Sequence, residues 1–238
     1  MTAHGPELSA APVSSDEPAA PALELTDVHH HWRKRPTPVL DDVSLTLRPG
    51  TVTWVGGRNG VGKTTLLRVA AGILIPQRGR VRLGDLDPVA DRRAFHGRLG
   101  FVSAGDRGLN ARMSVRRQLD FWCRIAFVEP ALRERRVDAA VEAFELHELV
   151  GARTDRISMG QRQRVRLAMA FMHEPAVILL DEPRNSLDDD GYRVLNEQVT
   201  AAAARHAAVL WCSPRGEDRV LSFDESFSLH DGRLERVA

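Results

Sequence analysis

Gly57-Arg58-Asn59-Gly60-Val61-Gly62-Lys63-Thr64-Thr65 is the stretch that decides how the rest of the 238-residue chain reads. It fits the spacing Gly-x-x-x-x-Gly-Lys-Ser/Thr. A short apolar strand, Val52-Thr53-Trp54-Val55, precedes it, and the helical pattern Thr65-Leu66-Leu67-Arg68-Val69-Ala70-Ala71 follows. That strand–loop–helix context separates a phosphate-binding loop from a Gly-rich turn that merely leads into a helix. Glycines at these positions let successive N–H groups point at one phosphate, and the positive end of the following helix adds to the attraction. Lys63 is placed to reach the β- and γ-phosphates, and the Thr64 hydroxyl to ligate Mg²⁺. The chain has two lysines, Lys34 and Lys63, among 33 Lys and Arg residues. A sequence that otherwise uses arginine thus keeps a compact ammonium in this loop.

The length suits one large domain or a core with a subdomain. A formal net charge of +1 gives no bulk electrostatic footprint for nucleic acid, and no nucleic-acid partner is expected. Two cysteines, Cys123 and Cys212, sit in apolar surroundings and indicate neither a disulfide framework nor a metal site, so a reducing, cytosolic location is expected. No apolar run approaches bilayer length and the N-terminus has no secretory pattern. Association with a membrane would therefore come through a partner.

Residues 1 to 22 are rich in Ala, Pro, Ser and Glu without a hydrophobic period, and the expectation is a disordered tail. Leu23 to Val28 alternates like a strand with one buried face. In His29-His30-His31-Trp32, neighbouring histidines of an extended chain point to opposite faces, which argues against a metal site. Trp32 has two readings: a ring that stacks on a nucleobase, or a core or edge tryptophan. Further strands are expected over 39–47, 79–84, 99–102 and 207–212, with a closing hairpin over 223–237. From about Ser103 to Met172 the pattern turns helical, with segments 115–127 and 131–146. In the latter, Arg133, Glu134, Arg135 and Arg136 read as a solvated face opposite Val137, Ala140, Val141 and Phe144.

The second informative stretch is Ala176-Val177-Ile178-Leu179-Leu180-Asp181-Glu182-Pro183. Five apolar residues in a row suit a strand buried on both faces of a parallel sheet. Two carboxylates stand at its C-terminal end, where ligands bind in open α/β sheets. Asp181 is a candidate Mg²⁺ ligand and Glu182 a candidate general base for an attacking water. Strands separated by helices imply an α/β sandwich.

Between these two elements lies Ile157-Ser158-Met159-Gly160-Gln161-Arg162-Gln163-Arg164, at the start of a helix. With it in place, the chain from Leu23 onward resembles the ATP-binding subunit of an ABC transporter. The resemblance implies an α/β fold: a P-loop NTPase (RecA-like) core with an antiparallel β subdomain and an inserted α-helical subdomain. The ATPase domain would occupy 23–238, with the helical insertion at about 103–172 docking on a transmembrane permease subunit. It implies ATP and Mg²⁺ as ligands, Gly57 to Thr65 as the phosphate loop, Thr64 and Asp181 as metal ligands, and Glu182 as the catalytic carboxylate. Ser158, Gly160 and Gln161 would contact ATP held by a second ATPase subunit, identical or not, with Met159 replacing the usual glycine. Trp32 resembles the aromatic that stacks on adenine. Asn185-Ser186-Leu187-Asp188 resembles the loop that spans the dimer interface. The implied location is cytoplasmic, on the inner face of the plasma membrane through the permease.

Two departures stand out. The family's glutamine after the strand ending at Val102 is replaced by Ser103-Ala104-Gly105-Asp106-Arg107, and its histidine near Ser213-Pro214-Arg215 is absent. Both missing groups would act on the nucleotide at this chain's own loop, so binding is expected intact and hydrolysis slow, with Asp106, Ser213 and Arg215 as candidate substitutes. The signature and the glutamine-free loop resemble those of exporter-type ATPases with a separately encoded permease. The alternative reading is an ATP-dependent dimerising regulator, or a soluble ABC protein, with little hydrolysis and no transport role.

Overall fold

The structure, a computed structural model, describes residues 22–33, 36–105, 108–214 and 221–237. The expected tail, Ala22 apart, lies outside these residues, as do Lys34, Asp106, Arg107 and Arg215.

In chain order the elements are β1 (Leu23–His30), β2 (Leu40–Leu47), β3 (Val52–Gly56), α1 (Lys63–Ala70), β4 (Arg78–Arg82), α2 (Arg92–Gly97) and β5 (Leu99–Val102). Three helices follow, α3 (Val115–Ile125), α4 (Arg133–Ala143) and α5 (Met159–Phe171), and then β6 (Val177–Asp181), α6 (Asp189–Ala204), β7 (Ala208–Ser213), β8 (Glu225–His230) and β9 (Arg233–Arg236). Strands β2, β1 and β4 make an antiparallel sheet. The main sheet runs β5-β6-β7-β3-β8-β9; all its pairings are parallel except β8 with β9. The fold is the expected α/β arrangement, with an antiparallel layer beside a parallel core and helices inserted between β5 and β6.

Two cores meet at the main sheet. Ile178 and Leu180 of β6, with Val209 and Trp211 of β7, pack into the core that includes α3, α4, α5 and α6. Val177 and Leu179, with Ala208, Leu210 and Cys212, pack into the core that includes α1 and the antiparallel sheet. All five residues of β6 are buried, which is why the strand reads as a continuous apolar run rather than an alternating one.

Strand β1 alternates as expected, but with a phase change. Leu23 and Leu25 are buried, then Val28 and His30, and the pairing register with both neighbours slips between. Asp27, with φ 50°, is the bulge residue that resets the phase. It turns His30 inward, 5% exposed, while His29 stays at the surface edge on Asp41 (3.1 Å).

The helical region differs from expectation in three ways. Residues 108–114 precede α3 as loop and turn, so the helices begin later than Ser103. The segment 131–146 is a short 3₁₀ turn, Pro130–Leu132, followed by α4. Its charges do not share one face, because four consecutive residues point most of the way round a helix. Arg133 Nε donates to the Val128 carbonyl (2.9 Å), and Arg136 pairs with Glu174 beyond α5. Helices α2 and α6 were not foreseen. For α6 the signal was present: Asp188 caps it, accepting from the Gly191 N–H at 2.8 Å, and Tyr192, Leu195, Val199 and Ala202 form a buried helical stripe.

Candidate functional site

The loop from Gly57 to Gly62 joins β3 to α1 as its sequence requires. Gly60 and Gly62 have φ of 78° and 127°, and a Cβ on Gly57 would lie 2.8 Å from the Leu229 carbonyl oxygen. No side chain caps α1, so its first-turn N–H groups belong to the site. Gly60, Gly62, Lys63, Thr64 and Thr65 line a cavity of about 200 Å³ together with Trp32, Val39, Asn59 and Glu182. Lys63 is 4% exposed, and its Nζ donates to the carbonyls of Gly57 (2.7 Å) and Arg58 (3.2 Å). The ammonium is thereby held at the base of the loop.

Asp181 ends β6 beside this loop. Its Oδ2 accepts from Thr64 Oγ1 at 2.8 Å and from the Ala104 N–H at 3.2 Å. Its Oδ1 is buried with no protein partner among the described residues. Burial raises the carboxyl above the ordinary aspartate value; the bonds from Thr64 and Ala104 oppose the rise, and the nearby Glu182 charge adds to it. A hydroxyl and a carboxylate that share a bond, with one buried oxygen unsatisfied, make a hard-oxygen donor set that fits Mg²⁺.

Glu182 follows in the left-handed region at φ 48°, fixed by its N–H bond to the Cys212 carbonyl (2.8 Å). Its Oε2 accepts from Asn185 Nδ2 at 2.7 Å. Glu182 lines the phosphate-loop cavity and also a second cavity of about 330 Å³, bounded by Ser103 to Gly105, Gln163, Arg166 and the Asn185-Ser186 turn.

The ring of Trp32 is 39% exposed and stands edge-on to His30, with centroids 4.8 Å apart. This placement rules out a core tryptophan and fits both an edge tryptophan and a ring that stacks on a nucleobase. Ser158, Gly160 and Gln161 do not line the phosphate-loop cavity. Ser158 instead caps α5 in a reciprocal box: Ser158 Oγ accepts from the Gln161 N–H (3.1 Å), and the Ser158 N–H donates to Gln161 Oε1 (2.9 Å). A Cβ on Gly160 would meet the Ser186 carbonyl oxygen at 2.6 Å, so this helix end packs closely on the turn after Glu182. Asp188 serves α6 as its cap.

In the glutamine-free loop the Ala104 backbone N–H donates to Asp181, while the candidate substitute Asp106 lies outside the described residues. Ser213, by contrast, is 2% exposed and its hydroxyl accepts from Trp54 Nε1 at 2.9 Å, which commits it to the core side of the sheet. Sequence reading missed Asn185 as the holder of Glu182, and it missed Arg166, a guanidinium inside the helical core. The only signal for the latter was a charge set among Val165, Leu167 and Ala168.

A strand–phosphate loop–helix unit beside a buried strand that ends in two carboxylates defines a phosphate-loop NTPase. Residues 40–185 match the ABC transporter family model. The chain is 35% identical over 198 residues to the phosphonates import ATP-binding protein PhnC 1 of Natronomonas pharaonis, covering 82% of this chain and 84% of that one. It is 32% identical over 170 residues to the cytochrome c biogenesis ATP-binding export protein CcmA of Sphingopyxis alaskensis (71% and 77%). With the ABC transporter ATP-binding protein NatA of Bacillus subtilis it shares 28% over 214 residues (89% and 87%). The chain belongs to the ABC transporter family, as an ATP-binding subunit and ABC-type ATPase. Its fold superposes on a solved ATP-binding subunit of an ABC transporter with a TM-score of 0.82, at 23% identity and covering 90% of this chain and 88% of that one.

Proposed function

We propose that this chain binds Mg-ATP at the loop from Gly57 to Thr65, pairs with a second ATPase subunit, and couples hydrolysis to transport by a separate membrane permease. The observation that carries this reading is the meeting of Thr64 and Asp181 at 2.8 Å, beside a cavity that Thr64 lines together with Lys63, Trp32 and Glu182. Trp32 stacks on the adenine. The loop amides and Lys63 hold the β- and γ-phosphates, and Thr64 and Asp181 hold Mg²⁺. The metal, when bound, neutralises phosphate charge. Glu182, aimed by Asn185, accepts the proton of the attacking water.

Ser158, Gly160 and Gln161 stand away from this cavity at the exposed end of α5, which suits contact with nucleotide on a second subunit. Asp188 lies on the turn that would border that interface. The helical stretch at about 103–172 is the surface we assign to the permease. No described helix is long and apolar enough to cross a membrane, so placement on the inner face of the plasma membrane would come through that partner. Relatives named for import and for export share the cassette, and the exporter reading rests on the signature and the glutamine-free loop.

Hydrolysis at this chain's own site is slow on this reading, because the family's glutamine and histidine are both missing from its sequence and, among the described residues, no side chain of the loop after β5 hydrogen-bonds to Asp181. The test is ATP turnover of the purified chain alongside co-purification with a tagged permease from the same locus. Slow turnover with capture of a multi-helix membrane protein is expected. Turnover at ordinary ABC rates would remove the slow-site reading, and ATP-dependent dimerisation without any permease would favour the regulator.

A further inference from the structure

Arg166 is 7% exposed, on the second turn of α5 within the helical core. Burying a guanidinium is costly unless its N–H groups are matched, and here they are. Nη2 donates to the Ser103 carbonyl and, at 3.3 Å, to Ser103 Oγ. Nη1 donates to the Gly105 carbonyl and, at 2.7 Å, to Gln163 Oε1. Gln163 in turn donates from Nε2 to the Pro183 carbonyl at 3.0 Å. One turn of α5 therefore grips both segments that flank Asp181.

The Ser103 carbonyl and the Ala104 N–H belong to one planar peptide unit and point in opposite directions. Arg166 holds one end of that plank, and the other end donates to Asp181 Oδ2 at 3.2 Å. A cation on the carbonyl also polarises the amide and strengthens its N–H as a donor. We propose that Arg166 is a positioning residue for the metal-side carboxylate, acting through the Ser103–Ala104 peptide and so tying the helix that begins at Ser158 to the state of Asp181. This inference rests on the reading of Asp181 and Thr64 as Mg²⁺ ligands.

The test is calorimetric binding of a slowly hydrolysed ATP analogue across a Mg²⁺ titration, with the purified full chain. Arg166→Lys keeps the buried charge but cannot fork two carbonyls. We expect its Mg²⁺ midpoint to rise about tenfold, the worth of one charge-assisted hydrogen bond, while affinity in EDTA stays within about twofold. Ala104→Pro, which removes the N–H and leaves Arg166 in place, should give the same shift. The double variant should be no worse than either single one, as members of one relay behave. Asp181→Asn is the reference. If it raises the midpoint while Arg166→Lys does not, or if the Arg166 and Ala104 effects add, the relay is overturned and the metal reading stands. If Asp181→Asn itself has no effect, both fall.

Discussion

Asn185 Nδ2 donates to Glu182 Oε2 at 2.7 Å across the turn that follows β6. Glu182 lines both cavities, and Asn185 is the side-chain partner that the described residues give its carboxylate. Asn185→Ala should therefore lower kcat about tenfold and leave KM for ATP within about twofold, the pattern of an interaction made for the chemical step. Glu182→Gln should abolish turnover and keep binding. Steady-state kinetics separates these outcomes, and a large KM change in N185A would mean that Asn185 serves binding instead.

The phosphate-loop glycines should not be equivalent. Gly60 has φ 78°, and a Cβ there would meet nothing within 4 Å, so Gly60→Ala carries conformational strain of about 1 kcal/mol and little else. Gly62 has φ 127°, and a Cβ there would lie 3.0 Å from the Val39 carbonyl oxygen. Gly62→Ala should cost about 2 kcal/mol or more and weaken ATP binding accordingly. Equal affinities for the two variants would contradict this geometry.

Trp32→Ala should weaken ATP binding by about 1–3 kcal/mol, the usual worth of an aromatic–base stack, with a smaller effect for Trp32→Phe. GTP and ATP should lose affinity together, because stacking does not read base edges. Competition binding with the two nucleotides measures both.

Acid should destabilise the fold partly through His173. Burial holds its pKa below the ordinary value of 6.5, against the opposing pull of its bond to the Leu99 carbonyl. The unfolded chain therefore takes up the proton first as pH falls. Stability present above 6.5 is lost as pH drops through the window between that value and the lower folded one. His173→Gln should narrow the loss of denaturation midpoint between about pH 7.5 and about pH 5.5. A residual slope is expected from His30, which burial shifts the same way. An unchanged slope in the variant would exclude His173 as a contributor.

How much of this was legible beforehand follows from the kind of interaction involved. The phosphate loop and the Asp181-Glu182 pair are local: spacing within nine residues and an apolar run with two terminal carboxylates state their own geometry. The Asp27 bulge was not legible, because a one-residue slip leaves composition unchanged and alters only which residues face inward. Nor was the Arg166 relay, whose partners lie 61 and 63 residues upstream and are backbone carbonyls that any sequence supplies. The bond from the Ala104 amide to Asp181 was hidden for the same reason. Ser213 was legible as a nearby hydroxyl, but its engagement with Trp54, 159 residues away, depends on which face of β7 it occupies.

Strand β6 is shared property. Ile178 and Leu180 are anchored in one core, Val177 and Leu179 in the other, and Asp181 closes the same five residues. Truncating Leu179 or Leu180 would open a cavity on opposite sides of the sheet, yet the displacement in either case arrives at one carboxylate. In a genetic screen for lost transport, lesions scattered through both halves of the molecule would then mimic a damaged nucleotide site. The footprint of this site in heredity is wider than its footprint in chemistry.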